Sequence, residues 1–253
     1  MFGFLNSRFP LFVTIVSIFG MLTVVMLSLN PPVAQQNISW RKLAIGSIFV
    51  AICLAGIFAA FFSNRCRTAS AFHSPRDTIS IKGKGEPEIK LKGHHFDCGK
   101  FSDHVINIGR FSFCAACFGL SLGATLALLG TTAYFLYGIE VVQNGLGIVA
   151  VGQVGVAVGF IQFKFKGFSR FALNTVFVLG IFSTIVGVDI LARNVIVDLY
   201  LELLSIFWLF TRILFSRWDH LRICQECNTL CEIRSTWEAK SGSTGQRVHR
   251  ANQ

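Results

Sequence analysis

Charge is scarce in this chain. Asp, Glu, Lys and Arg make up 14% of its 253 residues, against about 25% in soluble domains, and they gather in a central segment and a tail, leaving long uncharged runs elsewhere. A soluble enzyme or a disordered regulator needs a solvated polar surface that this composition does not supply, so both are excluded. Prolines number only five and no repeat recurs at a fixed period, which excludes collagen-like, low-complexity and solenoid chains. No His-Glu-x-x-His occurs, and with it goes the paired-histidine zinc site and general base of a metalloprotease. Apolar and aromatic residues reach 53%, with 26 phenylalanines and a mean hydropathy of +0.59. This is the composition of a membrane protein.

A hydrocarbon core of ~30 Å requires about 20 apolar residues of helix, and six stretches qualify as candidates. The first runs from Leu11 to Leu29 and stops at Asn30-Pro31-Pro32, where proline cannot continue a helix. Its apolar run is longer than the ~7 to 15 residues of a signal peptide, which favours a retained anchor. The second is Leu43 to Phe62, and the third begins near Phe113 and ends around Tyr137. Gly145 to Phe163 is the fourth; Gly152, Gly155 and Gly159 share one face and would let a neighbouring helix approach closely. The fifth, Phe171 to Ala192, and the sixth, Val195 to Phe215, leave little more than Arg193-Asn194 between them. A tight hairpin is expected there.

Basic residues flank the cytoplasmic ends of membrane helices, a rule not used in drawing these spans. Six crossings place 19 of the 23 Lys and Arg residues on one side, with Arg41, Lys42 and Arg193 opposite and Arg212 inside the sixth helix. Both termini are therefore expected in the cytoplasm of a multi-pass cell-membrane protein. The net charge of +10 then faces anionic lipid headgroups and calls for no nucleic acid.

Six of the eight cysteines fall into two clusters. The first contains His94, His95, Cys98 and His104, followed by Cys114-Ala-Ala-Cys117; the second is Cys224-Gln-Glu-Cys227 and Cys231, with His220 four residues upstream. Four helices separate them, so both return to the same face. Thiols in the cytoplasm are kept reduced, which favours metal ligation over disulfides. Two Cys-x2-Cys pairs converge readily on one tetrahedral ion, so Cys114, Cys117, Cys224 and Cys227 make a candidate four-cysteine zinc site joining the root of helix three to the exit of helix six. Cys98, Cys231 and one of His94, His95, His104 or His220 remain, to complete a second site or to exchange with members of the first.

Elsewhere the readings are plainer. Cys53, inside helix two, is expected to be a small core hydrophobe. Thr78 to Lys82 and Glu88 to Lys92 alternate about Gly83-Lys-Gly85, which suggests a hairpin delivering His94 and His95 to the membrane surface. Asp189 and Asp198 read as wet residues of the helix hairpin, whereas Glu202, about one turn deeper, is an intramembrane acid and thus a candidate functional group.

The stretch from Cys98 to Gly123 resembles the core of an uncharacterised prokaryotic multi-pass membrane-protein family, a domain of unknown function. That family's pattern runs Cys-His-Gln, a glycine about a dozen residues on, then Cys-Ala-Arg-Cys-x-Gly-x-x-x-Gly entering a helix. The matching residues are Cys98, Gly109, Cys114-Ala115-Ala116-Cys117, Gly119 and Gly123. The chain is more similar still to an archaeal-type variant in which His-His-x-x-Cys precedes the pair. Gly99-Lys100 stands where the family has His-Gln, and Ala116 where it has Arg. The resemblance covers some 30 of 253 residues and implies a shared cysteine site and a multi-pass fold, with no activity to carry over.

The expected architecture is all-α, a polytopic transmembrane bundle of about six helices with a small cytoplasmic Cys/His metal-binding element. Residues 1–62 form a two-helix membrane hairpin, 63–112 a cytoplasmic loop, 113–215 a four-helix membrane core and 216–253 a cytoplasmic Cys-rich tail. The leading functional expectation is noncatalytic: a zinc-stapled structural or accessory protein in contact with the lipid bilayer and with other subunits of a membrane complex. An iron-sulfur or thiol-redox electron carrier is the first alternative, although the cysteine spacing fits neither common ferredoxin pattern. An ion or small-solute transporter built on Glu202, Asp198 and Asp189 is the second.

Overall fold

The computed structural model describes residues 8–32, 40–62, 91–92, 95–96, 104–108, 111–139 and 144–226; for a few of these, 95, 220 and 221–226 among them, the backbone alone is described. Six α-helices follow in order: α1 (Arg8–Leu29), α2 (Arg41–Phe62), α3 (Ala115–Thr131), α4 (Gly145–Phe160), α5 (Gly167–Ala192) and α6 (Val195–Glu226). Four short strands accompany them. Leu91–Lys92 (β1) pairs with His95–Phe96 (β2), and Val105–Ile108 (β3) with Phe111–Cys114 (β4), each pair antiparallel.

Among the described residues, five helical segments are long and apolar enough to cross a membrane: Pro10–Leu29, Arg41–Ala60, Ala115–Leu136, Gly167–Ala192 and Val195–Ser216. Helix α4 has 16 residues and is about 24 Å long at 1.5 Å per residue; a short 3-10 turn, Gln162–Lys164, continues beyond it. The surface is apolar where a soluble protein's would be polar: Phe19 is 65% exposed, while Asn174, Thr211 and Asp198 are fully buried. Such inversion suits helices whose outer faces meet lipid.

Each helix reverses the one before it. Along α4, Gly145 lies against Gly187 and Leu191, Gly152 against Gly180 and Thr184, and Gly159 against Phe177, so α4 runs antiparallel to α5. Gly119, Gly123 and Gly130 of α3 meet Phe171, Thr175 and Phe182 in turn, so α3 runs parallel to α5. Ser17 and Thr211 share a hydrogen bond of 3.1 Å, and Thr23 and Tyr200 one of 2.5 Å, which sets α1 antiparallel to α6. The start of α2 meets the end of α5 and the start of α6 through Arg41. One end of the bundle thus collects the starts of α1, α3 and α5 and the ends of α2, α4 and α6.

Small residues let these backbones touch. A Cβ at Gly180 would lie 2.7 Å from the Gly152 carbonyl oxygen and 2.8 Å from the Val156 nitrogen, closer than any side chain tolerates. Gly119 and Gly123 face the α5 backbone in the same way. The glycine face expected on α4 therefore forms, and it closes on α5, as does that of α3.

Several boundaries differ from the sequence reading. Phe113 belongs to β4 rather than to a helix, because Val105 to Cys114 forms a hairpin in which Val105 pairs with Cys114. Helix α6 continues eleven residues past Phe215 to Glu226, held there by Asp219, which is buried against Arg170. Leu91 and Lys92 pair with His95 and Phe96; the proposed partner strand, Thr78 to Lys82, lies outside the described residues.

Candidate functional site

Polar side chains are buried at both ends of the bundle. At the end that carries the cysteine motif, Cys114 closes β4 and stands at the N-cap of α3 with extended backbone (φ −67°, ψ 117°), and Cys117 lies three residues on, inside the first turn. Both cysteines are half-buried and reduced, and their side chains are hydrogen-bonded to each other. That bond, together with burial, pushes the Cys114 thiol well above its ordinary value.

A chain of contacts ties this pair to the exit of α6. Val105 pairs with Cys114, and its neighbour His104 accepts a hydrogen bond at Nδ1 from the Arg170 guanidinium at 2.9 Å. Arg170 also meets Asp219 of α6, both nitrogens lying 3.3 Å from one carboxylate oxygen. Both residues are nearly fully buried. One layer deeper, Arg212 donates from Nε to the Asn174 Oδ1 at 2.9 Å and from Nη2 to the Gln162 Oε1 at 3.3 Å. Two arginines in apolar helices thus find partners on α5, α6 and the turn after α4.

The opposite end holds a second network. Arg41, the first residue of α2, bridges Asp189 near the end of α5, at 2.5 Å, and Asp198 in the first turn of α6. Asp189 also accepts a 2.7 Å hydrogen bond from the Tyr134 hydroxyl, which a π-helical turn at Thr132–Leu136 carries to that place. Lys42 sits over the Tyr134 ring, 4.7 Å from its centroid. Glu202 lies one turn beyond Asp198 and is 2% exposed, and neither of its carboxylate oxygens has a hydrogen-bond partner among the described residues.

These positions correct one expectation and support three. Asp189 and Asp198, read as wet hairpin residues, are 1% and 0% exposed, and both are paired with Arg41. Glu202 is intramembrane as expected, and Cys53 is a buried core residue at 4% exposure. Arg193-Asn194 does form a tight helix hairpin: Arg193 adopts the left-handed conformation (φ 46°) and the Asn194 side chain accepts from the Ile196 amide at 2.9 Å. Sequence reasoning missed the Arg41 and Arg170 networks; opposite charges at the mouths of otherwise uncharged helices were the signal.

Of the ten candidate ligands, the structure brings Cys114 and Cys117 together and sets His104 on Arg170. His94, Cys98, Cys227 and Cys231 lie outside the described residues, as do the side chains of His95, His220 and Cys224. Among the described residues no three His, Cys, Asp or Glu side chains converge as they would around a metal ion.

No family model matches the chain, and no curated protein or solved structure does. No family is thus identified from the resemblance between Cys98 and Gly123, and what stands is a multi-pass helical membrane protein with, among the described residues, five candidate spans and a shorter sixth apolar helix.

Proposed function

We propose that this protein crosses the membrane six times with both termini in the cytoplasm, and that its cytoplasmic cysteines bind zinc and staple the ends of α3 and α6. Its role is structural or accessory, as a subunit of a membrane complex, and no reaction is assigned to it. The observation that carries this reading is the contact chain from Cys114 and Val105 through His104 and Arg170 to Asp219. Asp219 lies five residues before Cys224 on the same helix, about 7.5 Å along its axis. The Cys114–Cys117 pair and the last turn of α6, which carries Cys224, thus belong to elements joined at one end of the bundle.

Cys114 and Cys117 have the short spacing and shared helix start from which two sulfurs reach one ion. Cys224 and Cys227 supply the other pair, with Cys98, Cys231 and the nearby histidines as further ligands. Lys164, Lys166 and Arg170 lie at this same end, where anionic headgroups of the inner leaflet attract basic residues. Helix alternation supports six crossings, since α4 reverses between α3 and α5 although it is short.

Metal content of the detergent-purified full-length protein tests this directly, beside a Cys114→Ala/Cys224→Ala variant. About one or two colourless zinc ions are expected, as closed four-coordinate sites hold, and the variant should lose metal and unfold at lower temperature, because metal binding is part of folding. Unchanged metal content and stability in the variant would contradict the staple. Iron with visible absorption that bleaches on reduction would instead make the protein an electron carrier.

A further inference from the structure

We propose that Glu202, together with Asp198 one turn above it and Arg41, forms an intramembrane proton-binding site, loaded from the water at the Arg41 end of the bundle. Three carboxylates are buried here, those of Asp189, Asp198 and Glu202, against one buried guanidinium. Arg41 is engaged by both aspartates, which leaves Glu202 without a counter-charge or a hydrogen bond among the described residues. An ionised carboxylate in such a place gives up its hydration without a partner to replace it, and one proton removes that cost. Intramembrane acids of this kind mark ion and proton pathways.

The surroundings favour a proton over a metal cation. Helices α5 and α6 run unbroken past the site, so their backbone carbonyls are engaged within the helices; sodium sites in transporters use unwound carbonyls. The three carboxylates do not converge on a common point. Glu202 is faced by Asp198 from its own helix and by Cys53 from α2. Beyond Asp198 lie Arg41, Asp189 from α5 and Tyr134 from α3. Helix α4 carries no titratable residue, and α1 has none between Pro10 and Leu29.

Access follows from depth. Arg41 is the first residue of α2 and Asp198 the fourth of α6, so both stand at the mouth of the bundle. Glu202 lies about 6 Å further in. On loading, a hydronium ion outside gives its proton to a Glu202 carboxylate oxygen, an O–H bond forms, and water remains; release reverses the step, with no other reactant.

Infrared difference spectroscopy of the full-length protein in phosphatidylcholine vesicles tests the site. A protonated-carboxyl stretch is expected that moves in D2O, moves again when the protein carries 13C-labelled glutamate, fades reversibly as pH is raised, and is lost in Glu202→Gln. A Cys53→Ala variant should keep it. Should the glutamine variant fail to fold, the glutamate-label shift in the unaltered protein decides. Absence of a protonated glutamate band at every pH where the protein is folded would overturn the proposal, as would a band that persists in Glu202→Gln. A band that responds to sodium at fixed pH and not to pH itself would overturn it in favour of a metal cation. None of these outcomes depends on the cysteine site.

Discussion

Arg41→Gln is expected to destabilise the folded protein by about 3–5 kcal/mol, the range for removing one partner of a buried ion pair. The reason lies in what the substitution leaves behind. Arg41 holds two carboxylates, Asp189 and Asp198, each at or below 1% exposure, and a neutral amide cannot offset either charge. Water cannot do so readily, because α2, α5 and α6 close around them. An exposed ion pair lost from a loop would cost only about 0 to 1 kcal/mol, so the magnitude separates the two cases. Adding Asp198→Asn to Arg41→Gln should recover part of the loss, since one uncompensated charge disappears with it. Equilibrium unfolding in mixed detergent measures both. A loss below about 1 kcal/mol for the single variant would mean that the carboxylates are hydrated or protonated without Arg41.

Gly180→Leu should loosen α4 from α5, at about 1–3 kcal/mol or more by the usual cost of overpacking. On α5, Gly180 faces Gly152 and Gly155 of α4, and a Cβ there would meet backbone atoms between 2.7 and 2.9 Å away. Backbone cannot rotate aside as a side chain does, so the helices must separate. Lipid offers no hydrophobic drive to hold them together, and close packing is what joins them. Gly56→Leu is the matched control, because a Cβ at Gly56 would meet nothing within 4 Å. Thermal unfolding in detergent should show a clear drop for the first and almost none for the second. Equal effects would remove the glycine contact from the basis of the α4–α5 pair.

Helix existence was legible in the sequence because lipid imposes a length and forbids charge, and both are read directly from the chain. All six helices form close to where the uncharged runs lie, and Val195 starts the sixth as expected. Ends were less legible. The last helix outruns its apolar stretch because Asp219 is neutralised by Arg170 from another helix, a tertiary effect with no local signature. The hairpin from Val105 to Cys114 was legible in principle: its residues alternate and β-branched and aromatic types recur, but the adjoining apolar run drew the helix start too early.

Burial of Asp189 and Asp198 could not be read from their own neighbourhood. Acids at a helix hairpin are usually wet, and the residue paired with both, Arg41, is about 150 positions away in sequence at the mouth of another helix. The cysteine pair shows the reverse. Its spacing and its place at a helix start were evident, and the structure sets Cys114 and Cys117 side by side at that start.

Side-specific protease access to tags at the two termini tests the central claim most directly, in sealed vesicles of known orientation. Six crossings with the basic end in the cytoplasm predict that both tags are cut in inside-out vesicles and neither in right-side-out ones. Tags on opposite faces would mean that α4 does not cross. The two cysteine clusters would then lie across the membrane from one another, and a shared metal would be impossible.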